Sequence, residues 1–191
     1  YTPEILKEEN PDYVVVATGS RPVLPNGAVQ WDNTIKMSDV LENRIAISNQ
    51  KVAIIGGGIN GCETADYLVN LGNRIIIVEK EKVLAVQMEK KNRRDLLNRL
   101  DQAGVVKMTG STVVDIREGR VIIERGLGQE ELKADRIVLA VGYQPDHQLY
   151  DELKRHHPRV FLIGDAQRVS NVRNAIMQAE TAAQDIYRMS S

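Results

Sequence analysis

The sequence contains one cysteine, Cys62, and this scarcity excludes an internal disulfide. A chain without disulfides is typical of a reducing compartment, so we expect a cytoplasmic protein. The three histidines, His147, His156 and His157, have no cysteine or carboxylate partners at ligand spacing, and we therefore predict no metal site. No Ser/His/Asp arrangement for nucleophilic catalysis stands out either.

Long apolar runs and a strong charge of either sign are also missing. No apolar stretch approaches the ~18 residues that a membrane-spanning helix needs, and the sequence has no signal-peptide pattern. The net charge is −1, which gives no electrostatic reason to expect nucleic acid or a membrane as a partner. The 191 residues, 42% of them hydrophobic, suit one large or two small domains with a sizeable core.

The sequence does have a glycine-rich turn between two apolar runs. Residues 52–55 are apolar, residues 62–69 show apolar side chains at helical spacing, and residues 75–78 are apolar again and end at Glu79. This order predicts a strand, a turn, a helix and a second strand with an acid at its tip. Such a unit holds the ADP half of a dinucleotide. The turn itself reads Gly56-Gly57-Gly58-Ile59-Asn60-Gly61.

The glycines of this turn have separate roles in the predicted site. Gly56 allows the tight turn out of the strand, and Gly58 lets a pyrophosphate approach the backbone. Gly61 lets the helix lie close to the sheet, and the free amides at the helix start attract phosphates. Glu79, 18 positions after Gly61, would accept hydrogen bonds from the adenosine ribose. A glycine turn without a ligand is the alternative, although closely placed glycines are costly to order.

Three other features near this unit have two interpretations each. Glu79 favours NAD over NADP because its carboxylate would repel a 2′-phosphate, but Lys80 and Lys82 would weaken that preference, and a solvent-facing acid is the alternative. Cys62 is interpreted as a small core residue, with a thiol activated by the helix N-terminus as the alternative. The basic run at residues 90–94 is interpreted as a solvated helix face, with a contact to adenylate or another domain as the alternative.

Residues 89–141 continue the α/β pattern and then depart from it. The spacing of leucines predicts a second helix at residues 89–103, followed by a third parallel strand at residues 105–108. A buried strand is expected at residues 136–141. Between these elements, short runs separated by glycine turns predict an antiparallel β-meander at residues 112–116, 121–124 and 131–133. The fold class is therefore α/β, a Rossmann-like three-layer nucleotide-binding domain with a parallel sheet and a meander.

The ends of the chain predict further elements. Strands are expected at residues 13–17 and 160–163, and residues 144–158 read as a polar connection with a short helix. A helix is expected at residues 172–187, with one apolar face buried. That face consists of Ala175, Ile176, Ala179, Ala182, Ala183 and Ile186.

Two segments on either side of the glycine-turn unit resemble each other. Residues 11–22 and residues 134–145 each contain an acid, an apolar strand, a glycine two positions after an alanine, and a proline three positions later. Two similar strand exits that bracket a module indicate one domain inserted into another. The alternative is coincidence, since a Val-rich strand followed by Gly and Pro is common.

These motifs together resemble the flavoproteins with two dinucleotide-binding domains, in which an NAD(P) domain is inserted into an FAD domain. The resemblance covers nearly the whole chain. It is strongest to the C-terminal region of NADH:flavin oxidoreductases related to old yellow enzyme, of the 2,4-dienoyl-CoA reductase and trimethylamine dehydrogenase types. The matching segments are Ala17-Thr18-Gly19, Gly56-Gly57-Gly58-Ile59-Asn60-Gly61-Cys62-Glu63-Thr64-Ala65, Ala140-Val141-Gly142-Tyr143-Gln144-Pro145, and Val160-Phe161-Leu162-Ile163-Gly164-Asp165-Ala166.

The resemblance implies roles for these segments. The glycine turn would hold the NAD(P) pyrophosphate, and Val141-Gly142 would lie beside the nicotinamide. Asp165 would meet the flavin's ribityl chain, and Thr18-Gly19 would lie near the FAD. Glu63 would touch the nicotinamide ribose, or it is an acid favoured by the helix dipole. No catalytic side chain is predicted, and the predicted cofactor-binding residues are Gly56, Gly57, Gly58, Ile59, Asn60, Gly61, Glu63, Glu79, Lys80, Val141, Gly142, Thr18, Gly19, Gly164 and Asp165.

Other parts of the family pattern are missing from this sequence. It has no glycine motif that opens an FAD domain, no FMN-holding barrel, no cysteine cluster for an iron–sulfur centre and no CxxxxC pair. We therefore expect a fragment whose own FAD binding is weak or lost. FMN and an iron–sulfur cluster would belong to the full-length protein outside this chain. The expected domains are a partial FAD segment with a linker at residues 1–48, an NAD(P) domain at 49–142, and a second partial FAD segment at 143–191.

Three functions follow from this interpretation. The first is the NAD(H)-binding region of a flavin-dependent oxidoreductase, whose partners are the dinucleotide and the remaining FAD domain and barrel of the full-length protein. The second is a structural module that binds ADP or another nucleotide without hydride transfer. The third is a small reductase that borrows flavin from a partner chain, for which a yellow purified chain would be the sign.

Overall fold

The computed structural model describes residues 2–23 and 33–190. The chain divides into two compact units: the insert unit, Leu24–Gly142, and the flanking unit, which combines Tyr1–Val23 with Tyr143–Ser191. The three domains expected from the sequence stay a prediction. In chain order the elements are α1 (Pro3–Glu9), β1 (Val14–Val16), β2 (Ser20–Pro22), β3 (Thr34–Lys36), α2 (Met37–Leu41), β4 (Lys51–Ile55), α3 (Ile59–Val69), β5 (Arg74–Glu79), α4 (Lys90–Gln102), β6 (Val106–Thr109), β7 (Ser111–Arg117), β8 (Arg120–Arg125), β9 (Gly128–Lys133), β10 (Arg136–Leu139), β11 (Tyr143–Pro145), α5 (Gln148–Leu153), β12 (Val160–Leu162) and α6 (Val172–Ser190), with a 3-10 turn at Gly164–Ala166.

The insert unit is built on a five-stranded parallel sheet in the order β3-β10-β4-β5-β6. Its central strands are runs of Val and Ile that are buried on both faces, as is usual in a parallel sheet. Ile54 of β4 pairs with Ile77 of β5 on one side and with Val138 of β10 on the other. The parallel strands expected from the sequence are confirmed. The short edge strand β3 is an addition to them.

Helices cover one face of this sheet and the meander covers the other. Helix α3 packs against β5 and α4, and it buries Cys62, Ala65 and Leu68. Strands β7, β8 and β9 form an antiparallel sheet, as the sequence predicts. The three-layer fold is therefore confirmed. The core between the two sheets consists of Ala53, Ile55, Ile76, Val78, Met108, Ile116, Val121, Ile123, Ala134, Ile137 and Leu139.

Helix α4 begins where a carboxylate caps it. Glu89 accepts hydrogen bonds from the amides of Lys91 at 2.8 Å and Asn92 at 3.1 Å. These amide bonds stabilise the charged form, so they lower the pKa of the Glu89 carboxyl below its ordinary value. The chain leaves the helix at Gly104, whose φ is +72°.

The flanking unit has a parallel pair of strands and a small core of its own. Strand β1 pairs with β12, and Val16 lies opposite Leu162. The buried side chains beneath this pair are Leu6, Val16, Leu153 and Val160.

The sequence analysis was wrong about the segments that follow β1 and precede α5. It expects no strand at residues 20–22 and describes residues 144–158 as a polar connection with a short helix. That helix is α5, but Ser20–Pro22 and Tyr143–Pro145 form an antiparallel pair. These are the ends of the two similar segments, so each provides the partner for the other's backbone. A proline is accepted there because a two-stranded sheet consists of edges.

The predicted buried face of α6 is also wrong. Of its six residues only Ala182 is buried, at 5% exposure, while Ile176 is 63% exposed. Helical spacing shows that a helix is amphipathic but not what covers it. In its own unit α6 packs mainly against the three-residue 3-10 turn, which is too small to cover a helix of 19 residues. Within the described ranges, no helix has the length and apolarity needed to cross a membrane.

Candidate functional site

A cleft of about 530 Å³ opens at the carboxyl ends of β4, β5 and β10 in the insert unit. Open α/β sheets bind ligands at this edge. Six of the predicted cofactor residues line it, namely Gly56, Gly58, Glu79, Lys80, Val141 and Gly142. The other lining residues are Ile55, Val78, Ser111, Thr112, Val113 and Ala140.

Gly56 makes the turn out of β4. Its φ is +105°, and its N–H donates to the carbonyl of Val78 at 2.8 Å. A Cβ at this position would lie 2.4 Å from the carbonyl oxygen of Ala140, so no other residue fits without moving the backbone.

Gly61 and Gly58 have opposite surroundings. A Cβ on Gly61 would lie 2.0 Å from the carbonyl oxygen of Gly56, which shows how closely α3 approaches the end of β4. A Cβ on Gly58 would meet nothing within 4 Å. Gly58 therefore leaves the open side of the turn free for a ligand to approach the main chain.

The start of α3 presents amides at this turn that have no acceptor among the residues that the structure describes. Gly58 is the N-cap of α3. The first helical hydrogen bond runs from the N–H of Cys62 to the carbonyl of Gly58 at 3.0 Å. The amides of Ile59, Asn60 and Gly61 precede that bond and have no carbonyl four residues earlier within the helix. Together with the helix dipole, they make a place for an anion.

Glu79 is bonded to the turn itself, which the sequence does not reveal. One carboxylate oxygen accepts from the N–H of Gly57 at 2.6 Å, and the other accepts from the N–H of Glu81 at 2.8 Å. Each oxygen has about two lone-pair positions, so the carboxylate retains the capacity to accept from a further donor such as a hydroxyl. Glu79 thus braces the glycine turn and also faces the cleft.

The carbonyl of Gly57 is held as firmly as its N–H. It accepts from the N–H of Ala85 at 2.8 Å and from the thiol of Cys62 at 3.4 Å. Burial first, and then the negative charges of Glu79 and Glu63, raise the pKa of the Cys62 thiol from 9.0 to about 11. The thiol is therefore neutral at physiological pH, which favours the core interpretation over a reactive thiol.

Five predicted residues of the glycine turn and the first turn of α3 lie outside the lining of the cleft. Gly57 and Gly61 are buried, Ile59 is half-buried, and Asn60 and Glu63 are exposed. The cleft includes Ser111, Thr112 and Val113 instead, which the sequence analysis missed. A signal was available, because β6 is parallel to β5 and the residues that follow it lie at the same edge.

The flanking unit brings its four predicted residues to neighbouring strand ends. Thr18 and Gly19 follow β1, while Gly164 and Asp165 follow β12, its parallel partner. Asp165 accepts from Ser170 N–H at 3.0 Å and from Ser20 Oγ at 3.5 Å. Further bonds in this region run from Thr18 Oγ1 to the carbonyl of Asp146 at 2.5 Å and from Gly164 N–H to Gln178 Oε1 at 2.6 Å.

Clusters of three or more His, Cys, Asp or Glu side chains able to hold a metal ion do not occur in the part of the chain that the structure describes. His147 lies 3.6 Å from Asp151 within one helical turn. Two side chains on an exposed surface are fewer ligands than structural metal sites use.

Comparison with known proteins agrees with this fold. The sequence profile of the pyridine nucleotide-disulphide oxidoreductase family matches residues 6–185. The chain is 34% identical over 179 residues to an NADH oxidase of Thermoanaerobacter brockii, covering 91% of this chain and 28% of that protein. It is 34% identical over 188 residues to a cinnamate reductase of Clostridium sporogenes, covering 96% of this chain and 28% of the reductase. The chain thus spans less than a third of the length of these relatives.

Solved structures show the same fold. A 2-naphthoyl-CoA reductase in complex with 2-naphthoyl-CoA superposes with a TM-score of 0.81 at 27% identity, covering 93% of this chain and 27% of the reductase. A histamine dehydrogenase from Rhizobium sp. 4-9 superposes with a TM-score of 0.80 at 19% identity, covering 95% of this chain and 30% of the dehydrogenase. The second likeness concerns the fold alone.

Proposed function

We propose that this chain, which belongs to the pyridine nucleotide-disulphide oxidoreductase family, binds NAD(H) in the cleft of its insert unit and positions the nicotinamide for hydride transfer to a flavin. One observation carries this proposal. Gly58 leaves an open approach to the amides at the start of α3, which have no acceptor in the described parts of the chain, and Glu79 lies beside the turn at the end of β5. Pyrophosphate and ribose are the groups that such a pair recognises.

The charges of the cleft support NAD rather than NADP. The Glu79 carboxylate stands where an adenosine ribose would lie and would repel a 2′-phosphate. Lys80 is the one cationic side chain among the residues described as lining the cleft, and it is exposed. A single solvated ammonium weakens this repulsion without cancelling it.

The nicotinamide half would extend toward the end of β10. Val141 and Gly142 line the cleft there, and Gly142 has a φ of +102°, which a residue with a Cβ rarely adopts. When bound, the nicotinamide supplies a hydride at C4 and the flavin accepts it. The residues of this chain bind and orient the dinucleotide, and no acid or base among them is required.

Family membership implies FAD as well as a pyridine nucleotide, and the flanking unit supports a place for it. Asp165 and Thr18 stand at adjacent strand ends, where a flavin's ribityl chain and phosphate would be bound. The sequence resemblance further suggests the group related to old yellow enzyme, and the chain spans only 28% of the NADH oxidase and of the cinnamate reductase, which leaves room for further domains. In that case a barrel with FMN and an iron–sulfur cluster belong to parts of the full-length protein outside this chain.

A structural nucleotide module is the second candidate, favoured by one observation. The features that recognise ADP, namely the glycine turn, the start of α3 and Glu79, all belong to one unit and are complete there. Binding of ADP therefore does not require the nicotinamide end of the cleft or a flavin.

Calorimetric titration of the chain with NADH, NADPH and ADP distinguishes these functions. Tighter binding of NADH than of ADP and NADPH is expected for a working nicotinamide pocket. Equal affinities for ADP and NADH would favour the structural module. The absence of binding by all three nucleotides would contradict both candidates.

A further inference from the structure

The peptide group between Leu84 and Ala85, outside the glycine motif, forms a hydrogen bond with the glycine turn. The carbonyl of Leu84 and the N–H of Ala85 belong to the same peptide, and this N–H donates to the carbonyl of Gly57 at 2.8 Å. Leu84 is 4% exposed and Ala85 is 1% exposed, so water does not compete for this bond. The loop between β5 and α4 thus holds the turn through a single peptide.

Arg93 of α4 holds that same peptide from its other end. Its half-buried guanidinium donates through Nε to the carbonyl of Leu84 at 2.7 Å. Ala85 has a φ of +47°, a left-handed conformation that needs support from its surroundings in a residue with a Cβ. A hydrogen bond from a charged donor is among the stronger supports available.

The chain of hydrogen-bonded peptides continues through the peptide between Gly57 and Gly58. The carbonyl of Gly57 shares a peptide with the N–H of Gly58, and in a trans peptide these two groups point in opposite directions. Since the Gly57 carbonyl points toward Ala85, the Gly58 N–H points away from it, and Gly58 itself is exposed. Among the residues that the structure describes, this N–H has no backbone acceptor.

We propose that Arg93 is a positioning residue for pyrophosphate binding. Through two successive peptides, Leu84–Ala85 and Gly57–Gly58, it orients the Gly58 N–H and polarises it toward a phosphate oxygen. Chains of hydrogen-bonded peptides polarise one another, so a cation at one end strengthens the donor at the other. This inference rests on the proposed function, because it requires a pyrophosphate at the turn. Arg93 itself does not contact the ligand.

The neighbouring Arg94 provides a matched control on the same helix. Its side chain is 71% exposed, and it pairs with Asp95 at 3.8 Å. Arg93→Met and Arg94→Met remove the same charge from adjacent positions, but only the first removes the bond to Leu84. Arg93→Gln is a milder second variant, since its amide is a neutral donor.

The test combines amide exchange in the free chain with NMR titrations of ADP and adenosine. In Arg93→Met we expect the Ala85 amide to exchange about tenfold faster, because one charge-assisted bond that holds its peptide is gone. ADP affinity should fall about tenfold while adenosine affinity stays unchanged, because adenosine has no phosphate. Arg93→Gln should lie between Arg93→Met and the unchanged chain, and Arg94→Met should match the unchanged chain.

Other results would overturn the inference. Unchanged exchange at Ala85 would show that Arg93 does not hold this peptide. Equal losses of ADP and adenosine affinity in Arg93→Met would show that the whole site has loosened. If Arg94→Met weakened ADP binding as much as Arg93→Met, the effect would come from the lost positive charge and not from the hydrogen bond to Leu84. If the unchanged chain bound neither ADP nor adenosine, the proposed function would fail, and Arg93 would lose its role in binding even with faster Ala85 exchange.

Discussion

Replacing Glu79 by Gln tests whether this side chain braces the glycine turn as well as facing the cleft. The carboxylate accepts two backbone hydrogen bonds, from Gly57 at 2.6 Å and from Glu81 at 2.8 Å. Gln offers one acceptor oxygen and one donor group, so one of the two N–H groups would face another donor. A charge-assisted bond contributes about 1.5–3 kcal/mol, and Glu79 is only half-buried, so we expect the free energy of unfolding to fall by about 2 kcal/mol.

Chemical denaturation of the chain without nucleotide measures this effect, with Glu81→Gln as the matched control. Glu81 takes part through its main-chain N–H, which the substitution leaves in place, and it carries the same charge two positions away. We expect Glu81→Gln to change the unfolding free energy by less than about 0.5 kcal/mol. Equal stabilities of the two variants would refute the bracing role and leave Glu79 as a strand-end acid.

Three further predictions follow from the same site. Glu79→Arg should raise the affinity ratio of NADPH to NADH by about tenfold, measured by calorimetry, and an unchanged ratio would remove Glu79 from the ribose. Gly61→Ala should lower the free energy of unfolding by about 2–4 kcal/mol, since its Cβ would lie 2.0 Å from the carbonyl oxygen of Gly56. Gly58→Ala should leave the stability unchanged, because its Cβ meets nothing within 4 Å, but should weaken ADP binding about tenfold. The pKa of the Cys62 thiol is raised from 9.0 to about 11, so the stability contributed by the neutral thiol is fully present below pH 9 and is lost as the pH rises toward 11. Labelling of Cys62 by a thiol reagent at pH 8 should therefore be slow until denaturant is added. Fast labelling of the folded chain would contradict the burial of this thiol.

The sequence predicted those parts of the fold that depend on local pattern. The strand, turn and helix at Gly56–Gly61 follow from a change of apolar period around a run of glycines, and the meander follows from regularly spaced glycine turns. The pairing of β2 with β11 could not be predicted in this way, because it joins residues more than 120 positions apart that look like loops. The exposure of Ile176 on α6 could not be predicted either, because an amphipathic pattern does not show which element packs against the apolar face of a helix.

The candidate site divides along the same line. The position of the glycines and Glu79 at one edge of the sheet could be predicted because their spacing is fixed by the strand–helix–strand unit, and their binding of a cofactor stays a prediction. The residues that hold the turn could not be predicted. Ala85 donates through its main-chain N–H, and Arg93 donates to a main-chain carbonyl, so neither contact requires a particular residue type at both of its ends. Ser111 and Thr112 were missed although the parallel order of β5 and β6 places them at the cleft.

The glycine motif alone does not determine the shape of this site. Glycine loses more conformational freedom on ordering than any other residue, so three consecutive glycines are the part of the chain most in need of outside restraint. Here the restraint comes from both sides of Gly57, with Glu79 on its N–H and Ala85 on its carbonyl. Both lie more than 20 positions downstream of Gly57, so in this chain the conformation of the glycine turn depends on an acceptor and a donor that the motif itself does not contain.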